Sequence, residues 1–143
     1  MKNILVTGGV GFIGTNLITE LVKLGHNIIS LDDYSAGLKT NEIEGVEYVN
    51  LDIESIDKID GNIDTCFHLA AKSRVQPSFK DPREYFRVNV QGTMKVMEWA
   101  KKNNVKVIYA GSSSKHHNPS DSPYAMYKFL GEEVIFKNNI GRI

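Results

Sequence analysis

Short apolar runs alternate along this chain with longer segments of helical period. The apolar runs are rich in β-branched residues and cover five stretches: 3–7, 27–31, 46–51, 64–69 and 105–110. Runs of this kind are typical of strands that are buried on both faces of a parallel sheet, and the intervening segments supply the crossover helices. The pattern therefore predicts an α/β fold, with a doubly wound parallel sheet between two layers of helices.

Three helices are predicted from apolar spacing and from capping residues. The first begins near residue 11 and ends where Gly25 can adopt the left-handed conformation. Its expected buried stripe is Ile13, Leu17, Leu21 and Leu24. Asp81 followed by proline starts a long helix over 82–103, and Ser122 followed by proline starts a helix over 122–138.

The charge balance of the chain is even. Its 143 residues include 17 Lys and Arg against 17 Asp and Glu, with no run of five like charges, so neither nucleic acid nor an anionic membrane is expected as a partner. The length suits one domain over residues 1–143. Cys66 is the only cysteine, which excludes an intrachain disulfide, and no apolar stretch approaches the length of a membrane span. We therefore expect a cytoplasmic protein.

Three glycines, Gly8, Gly11 and Gly14, occupy the junction between the first strand and the first helix in the order TGGVGFIG. The first suits a tight turn, the second lets the backbone approach a pyrophosphate, and the third allows close packing of the helix. Asp32 ends the second strand eighteen residues past Gly14. Its carboxylate can accept hydrogen bonds from ribose hydroxyls and would repel a 2′-phosphate, which favours NAD over NADP. The alternative is a glycine turn without a ligand.

A tyrosine and a lysine four residues apart lie in the last predicted helix. Tyr124 and Lys128 would share one face, one turn from each other. An ammonium close to a phenol favours the phenolate, so Tyr124 is a candidate base beside a nicotinamide ring. The alternative is a half-buried aromatic residue next to a surface lysine. A hydroxyl from Ser112, Ser113 or Ser114, directly after the fifth strand, could hydrogen-bond both a substrate hydroxyl and the Tyr124 oxygen.

Two further pairs of neighbouring residues are of types that can bind a metal ion or an adenine ring. His116 and His117 are interpreted as loop and not as a metal site, because neighbouring residues rarely point at one ion and no further ligands are spaced to complete the set. Asp52 and Ile53 follow the third strand and could hold an adenine amino group and cover its ring. An ordinary strand end is the alternative for this second pair.

Together these motifs resemble those of the extended short-chain dehydrogenase/reductase family, specifically its NAD-dependent nucleotide-sugar epimerase/dehydratase branch. Besides the glycine loop and Asp32, the resemblance includes HLAA at 68–71, VNVQGT at 88–93, the serine run and PYAMYK at 123–128. It covers nearly the whole chain. The resemblance implies a Rossmann-type domain that binds NAD.

The resemblance also implies a role for each matching residue. For the pyrophosphate, the implied ligands are Gly8, Gly11 and Gly14, with backbone donors from Phe12 and Ile13. For the adenosine, they are Asp32 on the ribose and Asp52 with Ile53 on the adenine. The rest of the cofactor site would be lined or supported by Leu69, Ala70, Ala71 and Asn89. The implied catalytic groups are Tyr124 as base, Lys128 as the ligand of the nicotinamide ribose, and Ser112, or Ser113 in the other register.

The serine run bears on the type of reaction. Family dehydratases carry a Thr-Asp-Glu set where this chain has Ser112 to Ser114. The resemblance therefore implies epimerisation of a nucleotide sugar, expected to be UDP-linked, with NAD regenerated within each cycle. The alternatives are an inactive NAD-binding module and a related reductase or dehydratase.

The chain also departs from the family pattern. Only eleven residues separate Ser112 from Tyr124, and Lys115-His116-His117 stands where Val-Tyr-Gly is usual. The chain stops at Ile143, just past the tyrosine helix, so the later strands and the lobe that holds the sugar are expected to be missing. By resemblance, a homodimer would form through helices 82–103 and 122–138.

Overall fold

The computed structural model describes residues 1–138 and 141–143 and contains one parallel sheet. Its strands are β1 (Asn3–Thr7), β2 (Asn27–Asp32), β3 (Glu47–Asn50), β4 (Thr65–His68), β5 (Lys106–Tyr109) and β6 (Gly141–Arg142). Their order across the sheet is β3-β2-β1-β4-β5-β6. The direction of strand addition reverses between β1 and β4. In open α/β sheets, ligands bind at the carboxyl ends of the strands beside such a switch point.

In the described ranges, five α-helices surround the sheet: α1 (Phe12–Lys23), α2 (Val75–Lys80), α3 (Pro82–Phe86), α4 (Thr93–Asn103) and α5 (Pro123–Asn138). A π-helical segment, Arg87–Gly92, joins α3 to α4, so the predicted helix over 82–103 is one helical run with a local widening. Short 3₁₀ turns occupy Lys39–Asn41, Ile53–Lys58, Ser113–His116 and Pro119–Asp121. The five predicted strands and three predicted helices are confirmed.

Two elements were not predicted. The helix α2 has the sequence VQPSFK, in which an internal proline argues against a helix. The strand β6 pairs with β5 through only two residues, so the expectation that no strand follows α5 was wrong. Residues 139 and 140, which belong to the same expectation, lie outside the described residues.

Apolar clusters on both faces of the sheet confirm the three-layer architecture. Ile4 and Val6 of β1 pack on one face with Ile18 and Leu21 of α1. The intervening Leu5 points to the other face, where the core includes residues of the helical run over 82–103 and of α5. This alternation along β1 buries both sides of the strand, as expected for a central parallel strand.

The predicted buried stripe of α1 was wrong at both ends. The buried residues are Gly14, Ile18 and Leu21. Ile13 is 63% exposed and Leu24 is 70% exposed. The buried face of α1 therefore differs from the predicted one. Gly14 lies directly on the glycine loop, and the preceding residue, Ile13, points towards solvent.

The predicted caps of the later helices are confirmed. Asp81 Oδ1 accepts a hydrogen bond from the Glu84 amide at 3.1 Å, and Ser122 Oγ accepts one from the Ala125 amide at 3.0 Å. Both are side-chain oxygens that satisfy first-turn N–H groups. The second cap sets where α5 begins, and therefore where Tyr124 and Lys128 lie.

Candidate active site

The glycine loop between β1 and α1 lies at the switch point of the sheet. Gly8 has a φ of +73°, and a Cβ at this position would lie 2.9 Å from the amide nitrogen of Ala70, which follows β4. A Cβ on Gly14 would collide with the Gly8 carbonyl oxygen. The tight turn expected at Gly8 is therefore present. The close packing expected at Gly14 is made against the loop itself.

Gly11, in contrast, is open. Beyond its chain neighbours, a Cβ there would come within 4 Å of one atom, the Gly8 carbonyl oxygen at 3.3 Å. Gly11 has no side chain to cap the first turn of α1, and the side chains of Phe12 and Ile13 in that turn are exposed. The N–H groups and the positive end of the helix dipole are thus available to an anion. A substituent on Gly11 would intrude on this cradle.

Asp32 lies beside the loop and is oriented by backbone donors. Its Oδ2 accepts a hydrogen bond from the Val10 amide at 3.1 Å, and its Oδ1 accepts one from the Tyr34 amide at 2.9 Å. Burial raises the pKa of Asp32, and these two amide bonds oppose the rise. Each oxygen can still accept a further hydrogen bond, as ribose recognition would require.

The loop after β2 folds back onto the glycine loop, an arrangement that sequence reasoning missed. Asn41 Nδ2 donates to the Val10 carbonyl oxygen at 2.8 Å, and a Cβ on Gly37 would collide with Val10. Tyr34 adopts a positive φ of 58° in the same segment. The polar stretch around Gly37 was the available signal, since such composition predicts a turn but not what the turn packs against.

Asp52 belongs to an ion cluster centred on Arg87 of the π-helical segment. Arg87 donates to Asp52 through both terminal nitrogens, at 2.9 and 2.8 Å, and also contacts Glu54 at 2.7 Å and Glu84 at 2.8 Å. The hydrogen bonds from Arg87 hold the pKa values of Asp52 and Glu84 below their usual range. The cluster ties the turn after β3 to the helical run over 82–103.

This cluster qualifies the adenine contact expected at Asp52 and Ile53. Asp52 Oδ1 also accepts the Glu54 amide at 2.9 Å, so both carboxylate oxygens are engaged. The Ile53 side chain is buried in the main core and packs against Gly92. Contact with an adenine stays a prediction. It would involve the lone pairs of the Asp52 oxygens that are not yet used and the backbone of Ile53, not its side chain.

The segment after β4 forms the other wall of the switch point. Leu69, Ala70 and Ala71 are all partly exposed there. Asn89, which is buried, clamps the next residue: its Oδ1 accepts the Lys72 amide at 2.8 Å and its Nδ2 donates to the Lys72 carbonyl at 3.0 Å. Asn89 therefore fixes the backbone of this wall at Lys72, and its role in the cofactor site stays a prediction.

Lys72 was not predicted as a site residue. Its Nζ donates to Ser35 Oγ at 3.0 Å and so links the segment after β4 to the loop after β2. These two strands flank β1, which leads into the glycine loop. The link therefore places a cation at the same end of the sheet as the glycine loop.

A buried row of polar side chains crosses the carboxyl ends of three strands. Thr7, His68 and Tyr109 are direct neighbours in the register of β1, β4 and β5. His68 Nδ1 lies 2.7 Å from Thr7 Oγ1, and His68 Nε2 lies 3.0 Å from Thr93 Oγ1. Because the Thr93 hydroxyl donates to the Asn89 carbonyl at 2.8 Å, it must accept from Nε2–H. Burial lowers the pKa of His68 to about 3, so this ring is neutral.

Lys128 is buried and faces β5. Its Nζ donates to the Tyr109 hydroxyl at 2.8 Å and to the Ala110 carbonyl oxygen at 2.6 Å. Burial lowers the pKa of Lys128 to about 8, while the charge of Glu132 opposes the fall. The alternative of a surface lysine is therefore wrong. The lysine contacts a different tyrosine from the one that the spacing suggested.

Tyr124 lies one helical turn before Lys128 and is partly exposed. Its amide donates to the Oγ of Ser78, a buried serine of α2, at 3.1 Å. Within the described part of the chain, the Tyr124 hydroxyl makes no hydrogen bond with Lys128 or with the serine run. The role of base stays a prediction for Tyr124.

Ser112 is held in place by a buried acid that the sequence reasoning did not single out. The Ser112 amide donates to Glu132 Oε1 at 2.8 Å, and the Ser112 Oγ lies 2.6 Å from Ser114 Oγ. Ser113 is exposed. Ser112 is thus the less exposed of the two candidate serines.

Among residues 1–138 and 141–143, no group of three or more His, Cys, Asp or Glu side chains is placed to hold a metal ion. No helix in those two ranges is both long enough and apolar enough to cross a membrane. Cys66 is buried in the sheet, and burial raises its pKa.

The fold and the switch-point geometry together define a dinucleotide-binding type of α/β protein. The profile of the NAD dependent epimerase/dehydratase family matches residues 4–137. The chain belongs to this family. The family resemblance expected from the sequence is therefore confirmed, and so is NAD as the cofactor of the family.

Three known proteins illustrate the similarity. A putative UDP-glucose 4-epimerase of Methanocaldococcus jannaschii is 33% identical to this chain over an alignment of 150 residues including gaps. The alignment covers 92% of this chain and 49% of that protein. A UDP-glucose 4-epimerase of Thermotoga maritima, solved with UDP-glucose, superposes with a TM-score of 0.89 at 26% identity, covering 95% of this chain and 50% of that one. MoeE5, solved with UDP-glucose and NAD, gives a TM-score of 0.83 at 33% identity, covering 95% and 48%. The chain spans about half the length of the relatives it matches.

Proposed function

We propose that this chain is the NAD-binding domain of a nucleotide-sugar epimerase that acts on a UDP-linked sugar. The observation that carries the proposal is the open first turn of α1 at Gly11, directly beside the oriented carboxylate of Asp32. An anion cradle next to a buried ribose acceptor fits a dinucleotide without a 2′-phosphate. The proposed domain extends over residues 1–143.

The residues that would hold NAD lie on both sides of the switch point. Gly8, Gly11, Gly14 and the backbone of Phe12 and Ile13 would bind the pyrophosphate, and Asp32 the adenosine ribose. The adenine would meet Asp52 and the backbone of Ile53. Leu69, Ala70 and Ala71, supported by Asn89, would line the groove towards the nicotinamide, where Tyr124 and Lys128 follow.

Bound NAD would supply the hydride acceptor for oxidation of the sugar carbon and, as NADH, the hydride donor for its reduction. The chain supplies the proton chemistry: Tyr124 would accept the proton of the sugar hydroxyl during oxidation and give it back during reduction. Lys128 would bind the nicotinamide ribose and favour the phenolate of Tyr124 through its charge. Ser112, or Ser113 in the other register, would hydrogen-bond the same sugar hydroxyl.

Epimerisation is preferred over dehydration because of the residues that follow β5. Removal of water needs an additional acid and base near the sugar, whereas this segment supplies three serine hydroxyls. Similar solved proteins bind UDP-glucose, including MoeE5, which was solved with both UDP-glucose and NAD. These likenesses support a UDP-sugar as the substrate.

We also propose that the protein forms a homodimer through the helical run over 82–103 and the helix predicted over 122–138, which is α5. These helices flank a groove of about 380 Å³. Its apolar lining consists of Val90, Met94, Met97, Leu130 and Val134. Association of two such faces would remove this apolar surface from water.

Isothermal calorimetry tests the cofactor part of the proposal. NAD is expected to bind more tightly than NADP, and Asp32→Asn is expected to weaken NAD binding by about tenfold or more, the effect of losing one charge-assisted hydrogen bond. Asp33→Asn is the matched control, because Asp33 is exposed and only accepts the Ser35 amide. Absence of NAD binding by the folded wild-type chain, shown folded by circular dichroism, would contradict the proposal.

Chromatography of the nucleotide sugars tests the reaction. Protein that contains this chain, supplied with NAD and UDP-glucose, is expected to form the 4-epimer. Tyr124→Phe is expected to abolish this conversion, whereas Tyr127→Phe, whose ring packs against Phe86, is expected to retain it. Equal turnover by Tyr124→Phe would remove Tyr124 from the proposed mechanism.

A further inference from the structure

Lys128 is held by a tyrosine that lies outside the expected Tyr124–Lys128 pair. We propose that Tyr109 is a positioning residue for Lys128, which it fixes through its hydroxyl and its ring face inside a slot that Gly131 leaves open. The inference rests on the proposed function, in which Lys128 contacts the bound dinucleotide. It assigns the placement of that lysine to strand β5.

The contact between the two side chains is close and buried. Lys128 Nζ donates to the Tyr109 hydroxyl oxygen at 2.8 Å and lies 4.1 Å from the centre of the Tyr109 ring. Lys128 is 4% exposed and Tyr109 is 3% exposed. Hydrogen bonding to an acceptor and attraction to the face of an aromatic ring both stabilise an ammonium, more strongly when water is excluded.

Gly131 makes room for the Tyr109 hydroxyl. It lies on α5, less than one turn after Lys128, and a Cβ at this position would collide with the Tyr109 hydroxyl and lie 3.1 Å from the Asn89 carbonyl oxygen. A glycine in a helix interior costs stability relative to alanine. Here the missing side chain is what allows the phenol to reach the lysine.

The tyrosine itself is fixed from the opposite side. The Tyr109 ring packs against His68, its neighbour in the sheet, with 5.4 Å between the ring centres. Tyr109 is 3% exposed, so its ring is enclosed by protein on the sides that Lys128 does not occupy. The position of the phenol is therefore set by strand β5 and by His68 as well as by the lysine.

This arrangement leaves one donor of Lys128 for a ligand. An ammonium has three N–H donors, of which Tyr109 and the Ala110 carbonyl oxygen receive two. Both acceptors lie on or directly after β5, so the third donor has a set direction. A flexible lysine is thereby converted into an oriented donor for the hydroxyl groups of a ribose.

The charged and titratable groups that face Lys128 are few in the described residues. Tyr109 faces it from β5, His68 acts on it from β4 and Glu132 from α5. His68 is neutral because its pKa is about 3, and Glu132 is also tied to the Ser112 amide. Loss of the Tyr109 hydroxyl should therefore change the pKa of Lys128.

Nuclear magnetic resonance of protein with ¹³C-labelled lysine tests the proposal. The Lys128 signal, assigned by its absence in Lys128→Arg, is titrated without NAD. Tyr109→Phe keeps the ring and removes the acceptor, so the pKa of Lys128 is expected to fall by about one unit. Gly131→Ala displaces the phenol without changing it and is expected to give a shift in the same direction. Tyr127→Phe, at a partly exposed position of the same helix, is the control that should leave the titration unchanged.

NAD affinity gives a second measurement, with about tenfold weaker binding expected for Tyr109→Phe. An unchanged Lys128 titration in a folded Tyr109→Phe protein would overturn the proposal, even if that variant were less stable. If Tyr109→Phe does not fold, the proposal is tested with Gly131→Ala and with the wild-type protein. The wild type must show a nuclear Overhauser effect between the Lys128 Cε protons and the Tyr109 ring, and its absence would overturn the proposal. Failure of wild type to bind NAD would contradict the proposed function alone, because the titration is read without NAD.

Discussion

Gly14, in the first turn of α1, lies directly against the carbonyl oxygen of Gly8, the residue six positions before it at which the turn out of β1 begins. A Cβ on Gly14 would also lie 2.7 Å from the Gly9 Cα. The helix therefore starts on top of the loop that precedes it. A Cβ on Gly11, between them, would meet the same oxygen at 3.3 Å without overlapping it, and this difference separates the tightly packed glycines from the proposed ligand-binding one.

Alanine substitutions at Gly14 and Gly11 are expected to affect different properties, the first mainly the stability of the fold and the second mainly NAD binding. Gly14→Ala should lower the free energy of unfolding by about 2 kcal/mol, because backbone atoms must move to admit the methyl group. Gly11→Ala should lower that free energy by less, about 1 kcal/mol or below, since φ is −73° and a single contact of 3.3 Å has to relax, yet it should weaken NAD binding by about tenfold or more. Urea unfolding and calorimetry measure the two quantities. Equal stability of the two variants would contradict the packing described for Gly14.

The neutral, buried His68 is expected to make the fold sensitive to mild acid. Its pKa is about 3 in the folded protein against 6.5 for the unfolded chain, so its stabilising contribution is present above about pH 6.5 and is lost as the pH falls towards 3. Between pH 7 and pH 5 the free energy of unfolding should fall by about 2 kcal/mol on this account. Urea unfolding at the two pH values measures it.

His68→Gln is the matching variant, because it removes the titrating ring and keeps polar atoms between Thr7 and Thr93. Its free energy of unfolding should depend less on pH over the same interval. His116→Gln, at an exposed loop position, should follow the wild-type curve. A wild-type pH dependence in His68→Gln would show that other groups cause it.

Removal of the cation from the Arg87 cluster is expected to destabilise the protein through repulsion. Arg87→Met leaves Asp52, Glu54 and Glu84 together without their counter-charge and should cost about 1 kcal/mol at pH 7 and low salt, since the cluster is partly exposed to solvent. The pKa values of Asp52 and Glu84 are lowered by Arg87, so this cost should be present above about pH 4.5 and shrink as the carboxylates are protonated below it. Urea unfolding across pH measures the effect, with the exposed Arg83→Met as control. A cost independent of pH would argue against an electrostatic origin.

The proposed dimer can be tested by placing a charge in the groove between α4 and α5. Met94 is 46% exposed there, and Met94→Glu should shift the protein from dimer to monomer in sedimentation velocity experiments. Leu24→Glu, an equally drastic change at an exposed position after α1, should leave the dimer intact. A wild-type chain that is monomeric at all concentrations would contradict the homodimer.

The elements of the fold could be read from local patterns. The strand Asn3–Thr7 was predicted with the bounds that the structure has, and the caps at Asp81 and Ser122 are used as expected. Such features depend on neighbouring residues only, which is why apolar spacing and capping chemistry reveal them. The short helix α2 was missed because its internal proline is a local signal that tertiary packing overrides.

Most residues of the proposed site could also be identified from the sequence, but the contacts between their side chains could not. The glycine loop, Asp32, Tyr124 and Lys128 were all identified by motif and spacing. Spacing suggested that Lys128 would act on Tyr124, whereas the structure gives it Tyr109, and Asp52 was found in an ion cluster with Arg87.

The sequence by itself therefore determined the strands, the helices and the family of this protein, because these follow from periodicity, caps and motifs along a few consecutive residues. Only the tertiary structure decided which side chains meet. His68 bridges Thr7 and Thr93, residues that are 61 positions before it and 25 after it. Such contacts depend on the order of the strands and on how the helices pack on the sheet, which bring together residues far apart in the sequence and are not specified by a pattern over a few consecutive residues.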